Sequence, residues 1–123
     1  GRPANIGLFD TTSGEDNSHI IRKLSYPGTD VFVLCFSVAS RRSFRNIPVM
    51  WKAEASKHCP DTPIILAGLK MDLRTKLKPD GSSFDCVTKE EAHRMALEIG
   101  AYSYAECSSL KGDGVGALFR EAA

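Results

Sequence analysis

The sequence predicts an α/β sandwich, a parallel sheet with helices packed against its faces. Three observations predict it. Apolar runs of strand length recur along the chain, helical 3.6-residue patterns fall between them, and the runs are continuous, without the in-and-out alternation of a sheet wetted on one side. Strands alternating with helices on this scale favour right-handed crossovers between parallel neighbours. At 123 residues, 42% apolar and 25% charged, the chain has room for one such domain.

The first run is Ile6-Gly7-Leu8-Phe9, ending at Asp10. The second, Asp30 to Phe36, is rich in β-branched and aromatic residues, and the third runs from Pro63 to Gly68. Each reads as a strand buried on both faces. A weaker fourth strand spans Ala101 to Glu106. Between the second and third strands, Ser40 has the chemistry of an N-cap, and Phe44, Ile47, Trp51 and Ala55 recur at helical spacing. Phe44 and Trp51 read as core. Pro48 brings no amide hydrogen to that helix, so a kink or a break is expected near it. Thr88-Lys89-Glu90-Glu91 is a capping box, followed by Ala92, Met95, Ala96 and Ile99 on one helical face and stopped by Gly100. A last helix starts near Gly114 and carries Val115, Leu118 and Phe119.

Composition narrows the function classes. Sixteen Lys+Arg against fifteen Asp+Glu give a net charge of +1, so no global field draws the chain to nucleic acid or an anionic membrane. A partner must be recognised locally. The apolar runs, such as Val31 to Phe36, fall well short of the roughly twenty residues of a bilayer span, and no signal-peptide pattern opens the chain, which reads as soluble and intracellular. Cys35, Cys59, Cys86 and Cys107 form no C-x-x-C pair and read as reduced structural thiols. His19, His58 and His93 share no ligand spacing and read as surface or packing residues.

Sheets of this kind bind ligands at the carboxyl ends of their strands. Three blocks stand there: Asp10-Thr11-Thr12-Ser13-Gly14-Glu15, Leu69-Lys70-Met71-Asp72-Leu73-Arg74, and Glu106-Cys107-Ser108-Ser109-Leu110. Alone, a Lys-x-Asp after a strand is an exposed turn, and an Asp-Thr is a turn or helix cap. Their order and spacing together carry more.

Together these blocks resemble the Ras-like small GTPases, and the flanking text resembles the Rho/Rac branch. The matching stretches are Leu24-Ser25-Tyr26-Pro27 with Thr29-Asp30-Val31-Phe32, Trp51 with Glu54, His58 through Leu66, and Asp72-Leu73-Arg74. The resemblance runs from about Asn5 to the C-terminus, and Thr75 to Val87 occupy the place of the extra segment that marks the Rho branch, here somewhat short. It implies a P-loop NTPase-type, Ras-like three-layer sandwich. Residues 1–123 would be a partial small-GTPase domain, from the third strand into the last helix, lacking the first two strands, the P-loop and the first helix. In the family's sheet a central strand would then be missing, leaving the first two apolar runs on either side of a gap.

The resemblance also implies roles. Asp72 matches the carboxylate that accepts two hydrogen bonds from the guanine edge, a pattern adenine cannot supply. Lys70 matches the residue whose stem lies along the base, and the Ser109 N–H matches the donor to the guanine carbonyl oxygen. Asp10 matches the carboxylate that steadies magnesium through water. Gly14 matches the glycine whose backbone approaches the γ-phosphate.

Departures from the pattern matter as much. No G-x-x-x-x-G-K-[ST] occurs in the sequence, so the cradle for a triphosphate is not among these residues. After the first run the family reads Asp-Thr-Ala-Gly-Gln, whereas this chain contains no glutamine. Aligned without a gap, Gly14 takes the glutamine position. With one inserted residue Gly14 keeps the glycine position and Glu15 takes the glutamine position, the alignment preferred here because it preserves that glycine. Under either, the water-positioning amide is lost, no catalytic residue is assigned, and hydrolysis is expected to be impaired. Leu69 stands where the family has Asn or Thr, which removes a hydrogen bond worth about 1 kcal/mol.

Two function classes follow. One is a Rho-like guanine-nucleotide switch, taking GTP or GDP with Mg2+ and working with effector, exchange-factor and activating proteins. It would be cytoplasmic, and membrane-associated if the full-length protein is lipidated. The other is a nucleotide-free, GTPase-like protein-interaction module. A P-loop encoded upstream would favour the first.

Overall fold

The computed structural model describes residues 6–8 and 24–123. Strands β1 (Phe32–Ser37), β2 (Ile64–Leu69) and β3 (Ser103–Glu106) form a parallel sheet in that order, with Phe32 opposite Ile64 and Ile65 opposite Ser103. These are the second, third and fourth predicted strands, with ends shifted by one or two residues. The first predicted strand falls only partly on the described residues. Residues 6–8 join no strand, and Ile6 and Leu8 are exposed, while Phe9 and Asp10 lie outside the described residues. A four-residue run interrupted by Gly7 holds an extended shape only where a neighbouring strand supplies the ladder, and 6–8 meet none among the described residues.

The β1–β2 connection is helical from Arg41 to His58: α1 (Arg41–Asn46), a π-helical stretch (Ile47–Lys52) and α2 (Ala53–His58). Ser40 caps α1 by accepting the Ser43 N–H at 3.2 Å. Pro48 does not break this helix. It cannot donate to a carbonyl one turn back, and the backbone widens locally into the π-helical stretch. Phe44, Ile47 and Ala55 are buried and Trp51 packs beside them, as the spacing predicts. Helix α3 (Lys89–Ile99) carries the complete capping box of Thr88 and Glu91 and ends at Gly100. Glu91 also ties α3 to α1, accepting from Arg41 Nη1 at 2.7 Å.

Each sheet face has its own core. Leu34, Phe36, Ile64 and Leu66 meet the α1–α2 helical stretch and α3 on one face, with Val38 and Val87 filling the strand ends. Both crossovers lie on that face because the sheet advances in one direction and each crossover keeps the same hand. On the opposite face Ile65, Ala67 and Cys107 pack against Leu118 of α4 (Val115–Ala122). Strand β2 is therefore buried on both faces, as expected. Strand β1 is not: Val33 and Cys35 are exposed, while α4 packs over β2 and the end of β3. Phe119, expected on the apolar side of α4, is also largely open at 37%.

Candidate functional site

The carboxyl ends of β2 and β3 are neighbours, because the strands are parallel and paired through Gly68 and Glu106. Two loops leave the sheet there. At the end of β2 the chain turns through Lys70, whose φ of 60° places it in the left-handed region that L residues avoid. The next four residues, Met71–Arg74, form one 3-10 turn that carries Asp72. At the end of β3, Cys107 continues the ladder by donating to the Gly68 carbonyl at 3.0 Å and accepts from the Met71 N–H at 3.1 Å.

Ser108 is 1% exposed. Its hydroxyl donates to Asp72 Oδ1 at 2.8 Å and accepts the Lys111 N–H at 3.2 Å, while its own N–H donates to the Asp113 carbonyl at 2.8 Å. Asp72 is thereby fixed by one carboxylate oxygen. Its Oδ2 accepts no hydrogen bond from the described residues, nor does the Ser109 N–H find an acceptor among them. Gly114, which opens α4, lies so close to this loop that an added Cβ would overlap the Glu106 carbonyl oxygen.

Behind the two loops Arg74 forks onto Glu106, Nη1 to Oε1 and Nη2 to Oε2, each at 2.6 Å. It also donates to the Val87 carbonyl from Nε at 3.2 Å and Nη2 at 2.9 Å. Tyr104 donates its hydroxyl to Glu106 Oε2. Burial by itself would raise the Glu106 carboxyl, but the Arg74 and Tyr104 hydrogen bonds and the Arg74 charge outweigh it and hold the group below its ordinary value. Gly68 makes room for Tyr104, since a Cβ there would sit 2.5 Å from the phenol oxygen.

Between the loops lies a cavity of about 300 Å³ lined by Leu69, Lys70, Asp72, Leu73, Lys76, Ser109 and Leu110. The structure thus brings together Lys70, Asp72 and Ser109, three of the residues singled out in the sequence. Asp10, Gly14 and Glu15 lie outside the described residues. Leu69 is half-buried, walling the cavity and packing toward the α4 core, where a polar side chain would have to find a partner. Ser108, Glu106, Lys76 and Leu73 are not assigned roles by sequence. Ser108 stands in a block already marked as a strand end, but only its burial against Asp72 shows what its hydroxyl does.

An aromatic base fits what is present. Leu69, Leu73 and Leu110 would wall such a ring, and among the described residues one Asp72 oxygen and the Ser109 N–H have no hydrogen-bond partner, so that an edge could meet them. A parallel sheet with helices on both faces is an α/β fold of the kind that P-loop NTPases share. The chain belongs to the Ras family, whose sequence model matches residues 1–123, and so to the small GTPases, guanine-nucleotide-binding switches.

Proposed function

We propose that this chain carries the base-reading half of a Rho-type guanine-nucleotide switch whose hydrolysis is impaired. The observation that carries it is the Asp72 carboxylate, held by Ser108 on one oxygen and, among the described residues, open on the other, at the rim of a base-sized cavity. Guanine offers Asp72 two adjacent N–H donors, whereas adenine would leave the buried-edge acceptor unpaired. Lys70 lays its stem along the base and Ser109 donates its N–H to the guanine carbonyl oxygen. The Rho assignment is supported by the Leu24 to Phe32 and His58 to Leu66 text and by the segment from Thr75 to Val87, which leaves Arg74 and returns to the core at buried Val87. Its partners would be effector, exchange-factor and activating proteins of the Rho type, in the cytoplasm, and at a membrane where the full-length protein is lipidated.

Impaired hydrolysis rests on the sequence. Gly14 offers no side chain to orient water, and Glu15 would set a negative charge beside phosphoryl oxygens that need a donor or cation. Asp10 would steady Mg2+ through water. Calorimetry on residues 1–123 is expected to show no submicromolar affinity for GDP or GTP, because no P-loop motif is present in them. Ligand-detected NMR should show GMP preferred over AMP, and Asp72→Ala should abolish the preference. An unchanged preference in Asp72→Ala would refute the base reading. With a phosphate-binding segment supplied ahead of the chain, Glu15→Gln is expected to speed hydrolysis. A rise with Gly14→Gln instead would favour the ungapped alignment.

A further inference from the structure

The two loops that face the cavity are each anchored by one member of the same ion pair. Arg74 ends the 3-10 turn that carries Asp72, and Glu106 ends β3 just before Cys107 and Ser108. Neither residue lines the cavity. Their side chains are 21% and 9% exposed, and the guanidinium fork meets both carboxylate oxygens while the Val87 carbonyl and the Tyr104 hydroxyl complete the two groups' bonding. A planar bidentate pair fixes distance and orientation together, which a single point contact does not. The turn it fixes begins at Lys70 in a conformation the backbone does not choose unaided. Ties from outside the turn must hold it, and among the described residues these also include the Met71 N–H to Cys107, the Ser108 hydroxyl to Asp72 and the Arg74 bonds to the Val87 carbonyl.

We propose that Arg74 and Glu106 are positioning residues that lock the two base-reading loops in one register, so that guanine preference depends on an ion pair that touches no nucleotide. The proposal rests on the cavity being a guanine site. Base discrimination needs Asp72 and the Ser109 N–H placed within about half an ångström of each other's required positions. Loss of the fork frees the 3-10 turn to rotate about Lys70, which moves Asp72 relative to Ser109 while the apolar walls that accept any base stay in place. Guanine affinity then falls toward that of adenine.

The test uses the full chain with Arg74→Met, Arg74→Lys and Glu106→Gln. GMP and AMP are titrated by ligand-detected NMR, and amide exchange is followed at Met71 and Lys111 in the loops and at Ala96 and Ile99 in α3. Arg74→Met and Glu106→Gln are expected to reduce the GMP-over-AMP ratio about tenfold with AMP binding unchanged. Exchange should rise at Met71 and Lys111 by clearly more than at Ala96 and Ile99. Arg74→Lys, which keeps the charge but not the fork, should fall between. Equal loss of GMP and AMP, or exchange rising in α3 as much as in the loops, would assign the pair a general stabilising role and overturn the proposal. If the unsubstituted chain takes GMP and AMP alike, the guanine reading fails and the nucleotide half of the proposal with it. Loop exchange in the variants then decides by itself whether the pair sets the register.

Discussion

The Ser108 hydroxyl donates a 2.8 Å hydrogen bond to Oδ1 of Asp72, joining residues 36 apart in sequence at the ends of adjacent strands. The serine is buried and the carboxylate half-buried, so the bond is shielded on the serine side and leaves the other face of the carboxylate toward the cavity. One hydroxyl therefore orients the carboxylate that the proposed base reading uses as its acceptor. It also accepts from Lys111, so the same atom shapes the loop behind Ser109.

Ser108→Ala removes both bonds at once. The Lys111 N–H and Asp72 Oδ1 lose their buried partner but stand where the chain is exposed or half-buried, so a loss of about 0.5–1.5 kcal/mol is expected. Urea denaturation measures it. A change in midpoint of less than a few tenths of a kcal/mol equivalent would mean that Asp72 and Lys111 find other partners.

Gly68→Ala should destabilise the sheet by about 1–3 kcal/mol through overpacking against Tyr104. The phenol oxygen would have only 2.5 Å to the new methyl, with Phe36 and Val38 at 3.3 Å on either side. Tyr104→Phe removes that oxygen. The cost of Gly68→Ala should therefore be smaller in the Tyr104→Phe background, a coupling that a double-mutant cycle reads directly. Additive costs would show that the clash lies elsewhere.

Acid should weaken the fold below about pH 4.5, the ordinary value of a glutamate carboxyl. Glu91 is held down to about 2, chiefly by its hydrogen bond to Arg41, which also faces Asp85. Glu106 is lowered too, against burial, by Arg74 and Tyr104 with Lys89 nearby. A carboxyl whose folded value is depressed contributes stability that is complete above its unfolded value and is lost as pH falls through the folded one. Thermal midpoints between pH 7 and pH 2 should stay level down to about pH 4.5 and then decline. Glu106→Gln should start lower at pH 7 and decline less steeply. An identical slope in the variant would show that Glu106 contributes nothing to the acid limb.

Much of the scaffold was legible because its signals are local. The apolar runs at β1 and β2, the Thr88-to-Glu91 box and the Ser40 cap are each decided within one turn or one strand, by burial pattern and by the nearest orphan amide. Lys70, Asp72 and Ser109 were legible through their place at strand ends in a family pattern. Pro48 shows the limit of a local rule. Its missing N–H dictates a disturbance, but whether the helix breaks or widens depends on Phe44, Ile47 and Ala55, which all have core to reach on the same face.

The sequence by itself determined the alternation of strands and helices, the caps that bound α1 and α3, and the residue types that stand at the strand ends. These follow from periodicity and from chemistry within a few neighbours. Only the tertiary structure decided that Ile6 and Leu8 meet no strand among the described residues, that Val33 and Cys35 lie open on β1, and that Ser108 rather than a neighbour holds Asp72. It alone paired Arg74 with Glu106, 32 residues away. The physical reason is one of range. A parallel sheet brings strand ends together only after a whole crossover has closed, so which side chains meet there is set by strand register and layer packing and is not written in any short stretch of the chain.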